Sequence, residues 1–219
     1  PQTCSKLFPT ENFAEKGVNE YMQGIPLNDR KRLGALLDDR PQTEVMAMIP
    51  QFSQAETDNF VAPPAQIPEA LGVLMFNMER GVNLLEIQEF LRDCPDIQPF
   101  DVILANELDD GCARSGNKNT ARELAQAFGL NYAWGLEFIE LVNDENAKGF
   151  HGNAVFSRWP IRRAGVIRLP EQYNWYFDRQ KRIGGRLAVF AALDVGGQPV
   201  GAVSIHLENR THGEGRKAQ

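Results

Sequence analysis

A chain of 219 residues with 42% apolar content is long enough to bury one sizeable core and has the composition of an ordinary water-soluble globule. Its formal charge of −6 gives no general attraction to nucleic acid or an anionic membrane, so any polyanion would have to be met by a local cationic cluster or a metal ion. No apolar run reaches the roughly 18 residues of a membrane span. Three cysteines, Cys4, Cys94 and Cys112, fit neither a disulfide framework nor a zinc-ligand spacing and read as plain thiols.

The chain opens on Pro1, which reads as an amino end trimmed by processing or cloning. Thr10 is placed to cap a helix over ENFAEKGVNEYMQG, with Gly24 as its stop, and LNDRKRLGALLDD suggests a second helical piece. Residues 51–70 carry three prolines among polar residues and read as a linker or a chain lying over a surface. Residues 1–65 are therefore expected to form a helical and linker extension, and residues 66–219 the main domain.

From residue 71 strands and helices alternate. LGVLMFN reads as a strand, and GVNLLEIQEFLRDC as a helix with Asn83 and Glu86 placed as cap and third residue. DVILANE follows as a strand whose continuous apolar run implies burial on both faces. This order predicts two parallel neighbours joined by a crossover. NTARELAQAFG is expected to be a helix with Thr120 as cap, Glu123 three residues on and Gly129 as terminator. The remainder reads as strands: NYAWGLEFIEL, GNAVFSR, RRAGVIRL, RLAVFAALDV and PVGAVSIHL. Gly196 and Gly197 supply the positive φ angles of a hairpin turn, which puts Leu187 opposite His206 and brings Arg186 and His206 to one end of that hairpin.

Ligands of open α/β sheets sit beyond the carboxyl ends of the strands. Asn77 and Glu107 are expected to end the two neighbouring strands. Adjacent strands lie roughly 4.8 Å apart, so the amide oxygen and the carboxylate could share one small ion. Mg²⁺ suits such a donor pair because it prefers oxygen ligands and keeps part of its water shell. Either residue alone could equally cap a loop. Arg186 could be a surface ion pair and His206 a histidine paired at a strand end. His151 and His212, each near glycine in a loop, read as bland, and the aromatic run YNWYF at 173–177 could line a substrate mouth or pack down its own loop.

The segments FNMER, DVILANELDD, GNAVFSRWPI, GGRLAVFAALDV and VSIHLENR, in that order over about residues 70–219, resemble the endonuclease/exonuclease/phosphatase superfamily, the deoxyribonuclease I-like enzymes. The resemblance implies a layered α/β sandwich of two mixed sheets flanked by helices. It implies Mg²⁺, with Mn²⁺ as a substitute, held by Glu107 as principal ligand, with Asn77 beside it and Glu79 assisting. The family's usual Gln-Glu is Asn-Glu here. By the same resemblance Arg186 would contact the scissile phosphate and His206 would hydrogen-bond the phosphate or protonate the leaving group. Asn153 would face the site, and Asn209 would orient substrate or nucleophile. The implied reaction is in-line attack of water on a phosphodiester or phosphomonoester. Nucleic acid, nucleotides, inositol phosphates and phospholipid head groups are all candidate substrates.

The family's later Gly-Asp-x-Asn and Ser-Asp-His segments do not occur in this sequence. The expectation is an amino-terminal half whose sheet is completed by a missing carboxyl-terminal half or by a partner chain. Two functions stay open: a metal-dependent phosphoesterase carried in part by this chain, and a catalytically incomplete binding or assembly module of the same fold. Compartment is left open.

Overall fold

The structure is a computed structural model that describes residues 21–219. The helix expected over residues 11–24 lies largely outside the described residues. Residues 21–26, which are described, are not helical, so Gly24 terminates no helix there. No helix among the described residues is long and apolar enough to cross a membrane. Cys94 and Cys112 are free thiols, half-buried and buried.

Among the described residues nine strands form two sheets. The larger orders β1 (Ala55–Asp58), β4 (Asn131–Glu140), β5 (Phe150–Ser157), β3 (Val102–Asp110) and β2 (Val73–Arg80), with the short β7 (Arg182–Gly184) paired to β4. Among the described residues only the β2–β3 pair is parallel, as expected for a crossover unit. The smaller sheet, β6 (Ile161–Arg168), β8 (Leu187–Val195) and β9 (Gln198–Ile205), is antiparallel throughout, so only one of the two sheets is mixed. Helices α1 (Leu27–Ala35), α2 (Gln42–Ala47), α3 (Leu84–Asp93), α4 (Thr120–Phe128) and α5 (Gly213–Ala218) complete the described residues, with α3 and α4 on the outer face of the larger sheet.

The run Val102–Ala105 explains the layering. Val102 and Leu104 pack into the cluster between the sheets with Trp159, Leu187 and Val189, whereas Ile103 and Ala105 face the helix side with Leu91, Leu124 and Phe156. A strand buried on both faces carries apolar residues on both. The hairpin register is as predicted: Val195 faces Gln198 and Ala188 faces Ile205, with Gly196 and Gly197 at φ 59° and 87°.

Other expectations change. Residues 51–70 are not all linker: Ala55–Asp58 pairs antiparallel with β4, and Met22, Leu37, Val45, Ile49 and Phe52 join the main core. Asn83 sits at the cap of α3 but makes no capping bond. The cap of α4 is Asn119, whose side chain accepts from Arg122 N–H; Thr120 is already helical and its hydroxyl donates to Asp109 O. Gly129 ends α4 in the left-handed conformation, as expected.

Candidate active site

Glu107 and Asn77 do not end their strands. β2 runs on to Arg80 and β3 to Asp110, and both residues sit where the ladders slip. Asn77 faces Asn106 and Arg80 faces Leu108, so β2 holds two residues against one of β3. Ala105 faces Ala154 and Leu108 faces Gly152, so β3 in turn bulges against β5. A third slip, in β4, inserts Glu137 between Leu136, opposite Gly152, and Phe138, opposite His151. Bulges bend a strand and re-aim side chains. Here they deliver two carboxylates, Glu107 and Glu137, at the same level of the sheet. Glu79, Arg80 and Glu107 take left-handed φ values of 46°, 68° and 60°. Asn153, fully buried, accepts the Glu107 N–H at 3.1 Å and so holds the β3 bulge; it supports the site from beneath.

Asn77 and Glu107 do meet. The Asn77 side chain hydrogen-bonds the Glu107 carboxylate, and its Oδ1 accepts from Glu79 N–H at 2.9 Å. Asn77 thus lies beside Glu107 at the bulge, with its Oδ1 engaged by the backbone of Glu79. Burial raises the Glu107 pKa, but the Asn77 hydrogen bond and the nearby His151, His206 and Arg80 bring it below the usual carboxylate value. Glu79 is exposed.

Behind Glu107 lies a chain of ion pairs. Arg186, 6% exposed, donates from Nη1 to Glu137 at 3.0 Å and from Nε to Glu208 at 3.3 Å. Its Nη1 is also 3.1 Å from His206 Nδ1. A guanidinium only donates, so Nδ1 accepts and the imidazole carries its proton on Nε2, 3.9 Å from Glu107 Oε1. Burial and Arg186 lower the His206 pKa against the pull of Glu137 and Glu107, which favours this neutral form. Burial opposes the charge on Arg186, but Glu137 and Glu208 outweigh it and raise its pKa.

The strands also assemble residues that the sequence reading passed over. His151, expected to be bland, is 2% exposed and its Nδ1 donates to Asp109 at 2.8 Å. Asp109 also takes two bonds from Arg114, and with His151 these hold it at a pKa of about 2 against burial. Glu208 accepts the Trp175 indole N–H at 2.8 Å. The aromatic run divides its work: Trp175 lines the cleft, Tyr176 packs into the main core and Phe177 is exposed. His212 precedes α5 and does not line the cleft described below.

These groups surround a cleft of about 210 Å³ lined by four arginines, Arg80, Arg182, Arg186 and Arg210, and two carboxylates, Glu107 and Asp178. Arg182, Arg186 and Arg210 stand 5.1–5.7 Å from the Trp175 ring. Arg80 Nε is buried without a hydrogen-bond partner among the described residues. Asn209 lines the same cleft. In a chain of net charge −6, four arginines thus line one opening.

Two solved structures are similar to this chain. One is an endonuclease/exonuclease/phosphatase family protein from Leptotrichia buccalis C-1013-b, 18% identical, matched over 64% of this chain and 57% of that one with a TM-score of 0.44. The other is SmcL, 13% identical over 69% of this chain and 54% of its own, with a TM-score of 0.42. The chain thus spans little more than half the length of either. No protein-family model matches the sequence, and no curated protein matches it.

The donor set can be tested against Mg²⁺. No group of three or more His, Cys, Asp or Glu among the described residues could hold a metal ion. Mg²⁺ is often held by one or two carboxylates while keeping most of its water. Glu107, with 23% of its side chain exposed and its charge favoured by its neighbours, fits that requirement as a single anchoring ligand.

Proposed function

We propose that this chain carries the phosphate-binding wall and the metal-anchoring carboxylate of a Mg²⁺-dependent phosphoesterase, which hydrolyses a phosphodiester or phosphomonoester by in-line attack of water. The observation that carries this reading is the cleft itself, in which four arginines line one opening with Glu107, and His206 stands beside that glutamate, in an otherwise acidic protein. Phosphoryl oxygens carry charge that must be met in the transition state, and arginine meets it in a fork geometry.

Arg186 is the central anchor. Glu137 and Glu208 hold its Nη1 and Nε, which leaves Nη2 to donate to phosphoryl oxygens. His206 presents Nε2–H beside Glu107, in position to hydrogen-bond the phosphate or the leaving oxygen. Arg80 and Arg210 supply further positive charge at the rim, and Asn209 can orient a substrate polar group. Glu107 would hold Mg²⁺ or Mn²⁺, which when bound supplies charge neutralisation at the phosphoryl oxygens. Asn77 and Asn153 keep Glu107 in place, and Glu79 lies two residues beyond Asn77 on β2.

A binding or assembly module of the same fold is the second reading. It is favoured by β2, whose Val73 and Met75 are 57% and 73% exposed on the face that the smaller sheet would have to extend to cover. One assay separates the two. Protein expressed from its full coding sequence is offered a nucleotide, an oligonucleotide, an inositol phosphate and a phospholipid head-group ester, each with Mg²⁺ and with chelator. Chelator-sensitive release of phosphate or alcohol from at least one supports the phosphoesterase; binding without turnover in every case supports the module.

A further inference from the structure

A second cavity, of about 330 Å³, lies between α2 and the carboxyl end of β6. It shares only Arg186 with the cleft described above, so it stands apart from the proposed hydrolytic function. Met46, Ile49, Phe52 and Leu169 make its wall largely apolar, and Thr43 and Ala47, one helical turn apart on α2, are exposed residues that line it.

Three charged groups, Arg168, Glu171 and Arg186, break that apolar lining; Arg186 is paired with Glu137 and Glu208. Arg168 stands over the Phe52 ring, with its guanidinium carbon 4.8 Å from the ring centre. It donates from Nε to Phe52 O at 2.8 Å, from Nη1 to Gly185 O at 3.1 Å and from Nη2 to Leu136 O. Three of its five N–H groups are thereby used, all on neutral carbonyls. It makes no ion pair among the described residues. Desolvation pushes its pKa down to about 9; the one carboxylate that acts against this is Glu137, which is bonded to Arg186. Burial raises the pKa of Glu171, which also lines the cavity, against the opposing effect of Gln42, and Glu171 forms no ion pair with Arg168. A half-buried cation without a counterion is costly unless an anion neutralises it.

We propose that this cavity is a binding site for a small molecule with an apolar body and a single carboxylate, the carboxylate taking the two remaining Arg168 N–H groups and the apolar body lying along Met46, Ile49, Phe52 and Leu169. Concave, mostly apolar sites with one well-placed polar group are the usual form of small-molecule pockets, whose volumes begin near about 300 Å³.

The test is calorimetric titration of the whole chain with octanoate and, separately, with the uncharged octan-1-ol. Octanoate should bind saturably at one site, and octanol about tenfold or more weaker, because it lacks the charge. Arg168→Gln should remove the preference between the two. Ala47→Trp, at an exposed position whose indole would fill the cavity, should abolish binding of both and leaves the test intact if Arg168→Gln does not fold. Absence of saturable octanoate binding, equal affinity for octanol, or unchanged octanoate binding in Ala47→Trp would each overturn the proposal.

Discussion

Glu107 holds a φ of 60°, a conformation that costs a residue with a Cβ roughly 1–2 kcal/mol. The bond from its N–H to Asn153 and the contact from Asn77 keep it there, and the left-handed turn points its carboxylate into the cleft. Asp110, three residues on, carries the opposite tension. Burial, with Glu56 and Asp109 nearby, pushes its pKa up to about 6 although Lys148 lies 2.7 Å away. A carboxyl raised in the folded state favours folding when protonated, so this contribution is complete below about pH 4, the unfolded value, and lost as pH passes about 6. Over that window wild-type thermal stability should fall relative to Asp110→Asn by an amount on the order of 2 kcal/mol, read as melting temperature against pH. Parallel curves for the two proteins would remove Asp110 from this role. At this scale Glu107 could be found in the sequence because Asn106 and Glu107 interrupt a continuous apolar run. Glu137 could not, since it lies within a strand that is buried along its whole length and its chemistry depends on a slip invisible to periodicity.

The elements show why pairing matters more than pattern. The Gly196–Gly197 turn fixes the β8–β9 register, so the Arg186–His206 contact followed from counting residues. Asp109 and His151 meet because β3 and β5 slip by one residue between Ala105 and Leu108, which sets Asp109 opposite His151; without that slip the pair would not face each other. His151 therefore looked like a loop histidine. The Asn119 cap was mistaken for Thr120 by one position, because the Thr120 hydroxyl has a better partner in Asp109 O. Gly152 sits at the meeting of the β3 and β4 bulges. A Cβ there would lie 2.0 Å from Gly135 O and 2.7 Å from the Trp134 ring, both on β4. Gly152→Ala should thus cost at least about 1–3 kcal/mol, seen as a lower denaturant midpoint. An unchanged midpoint would mean that the three bulges are looser than their geometry implies.

For the molecule as a whole, two stacked sheets with helices outside place one rim where β2, β3, β4, β5 and β9 present their bulges and ends together. The apolar runs made the layers legible in the sequence, and the short β1 and β7 were not, because strands of four and three residues carry too little pattern to recognise. Electrostatics divides the surface in the same way. The net charge is −6, yet the cleft gathers four arginines around Glu107, so anions should be drawn to that opening and the attraction should weaken with added salt.

Everything proposed for the cleft turns on the Glu107 carboxylate as the anchor of a divalent cation. The direct measurement is turnover of bis(p-nitrophenyl) phosphate in Mg²⁺ by protein expressed from the full coding sequence, compared between wild type and Glu107→Gln, with circular dichroism to establish that both are folded. A loss on the order of 10² or more in the folded variant is the predicted result, since the amide keeps the shape and loses the charge. Equal turnover by the two folded proteins would contradict it.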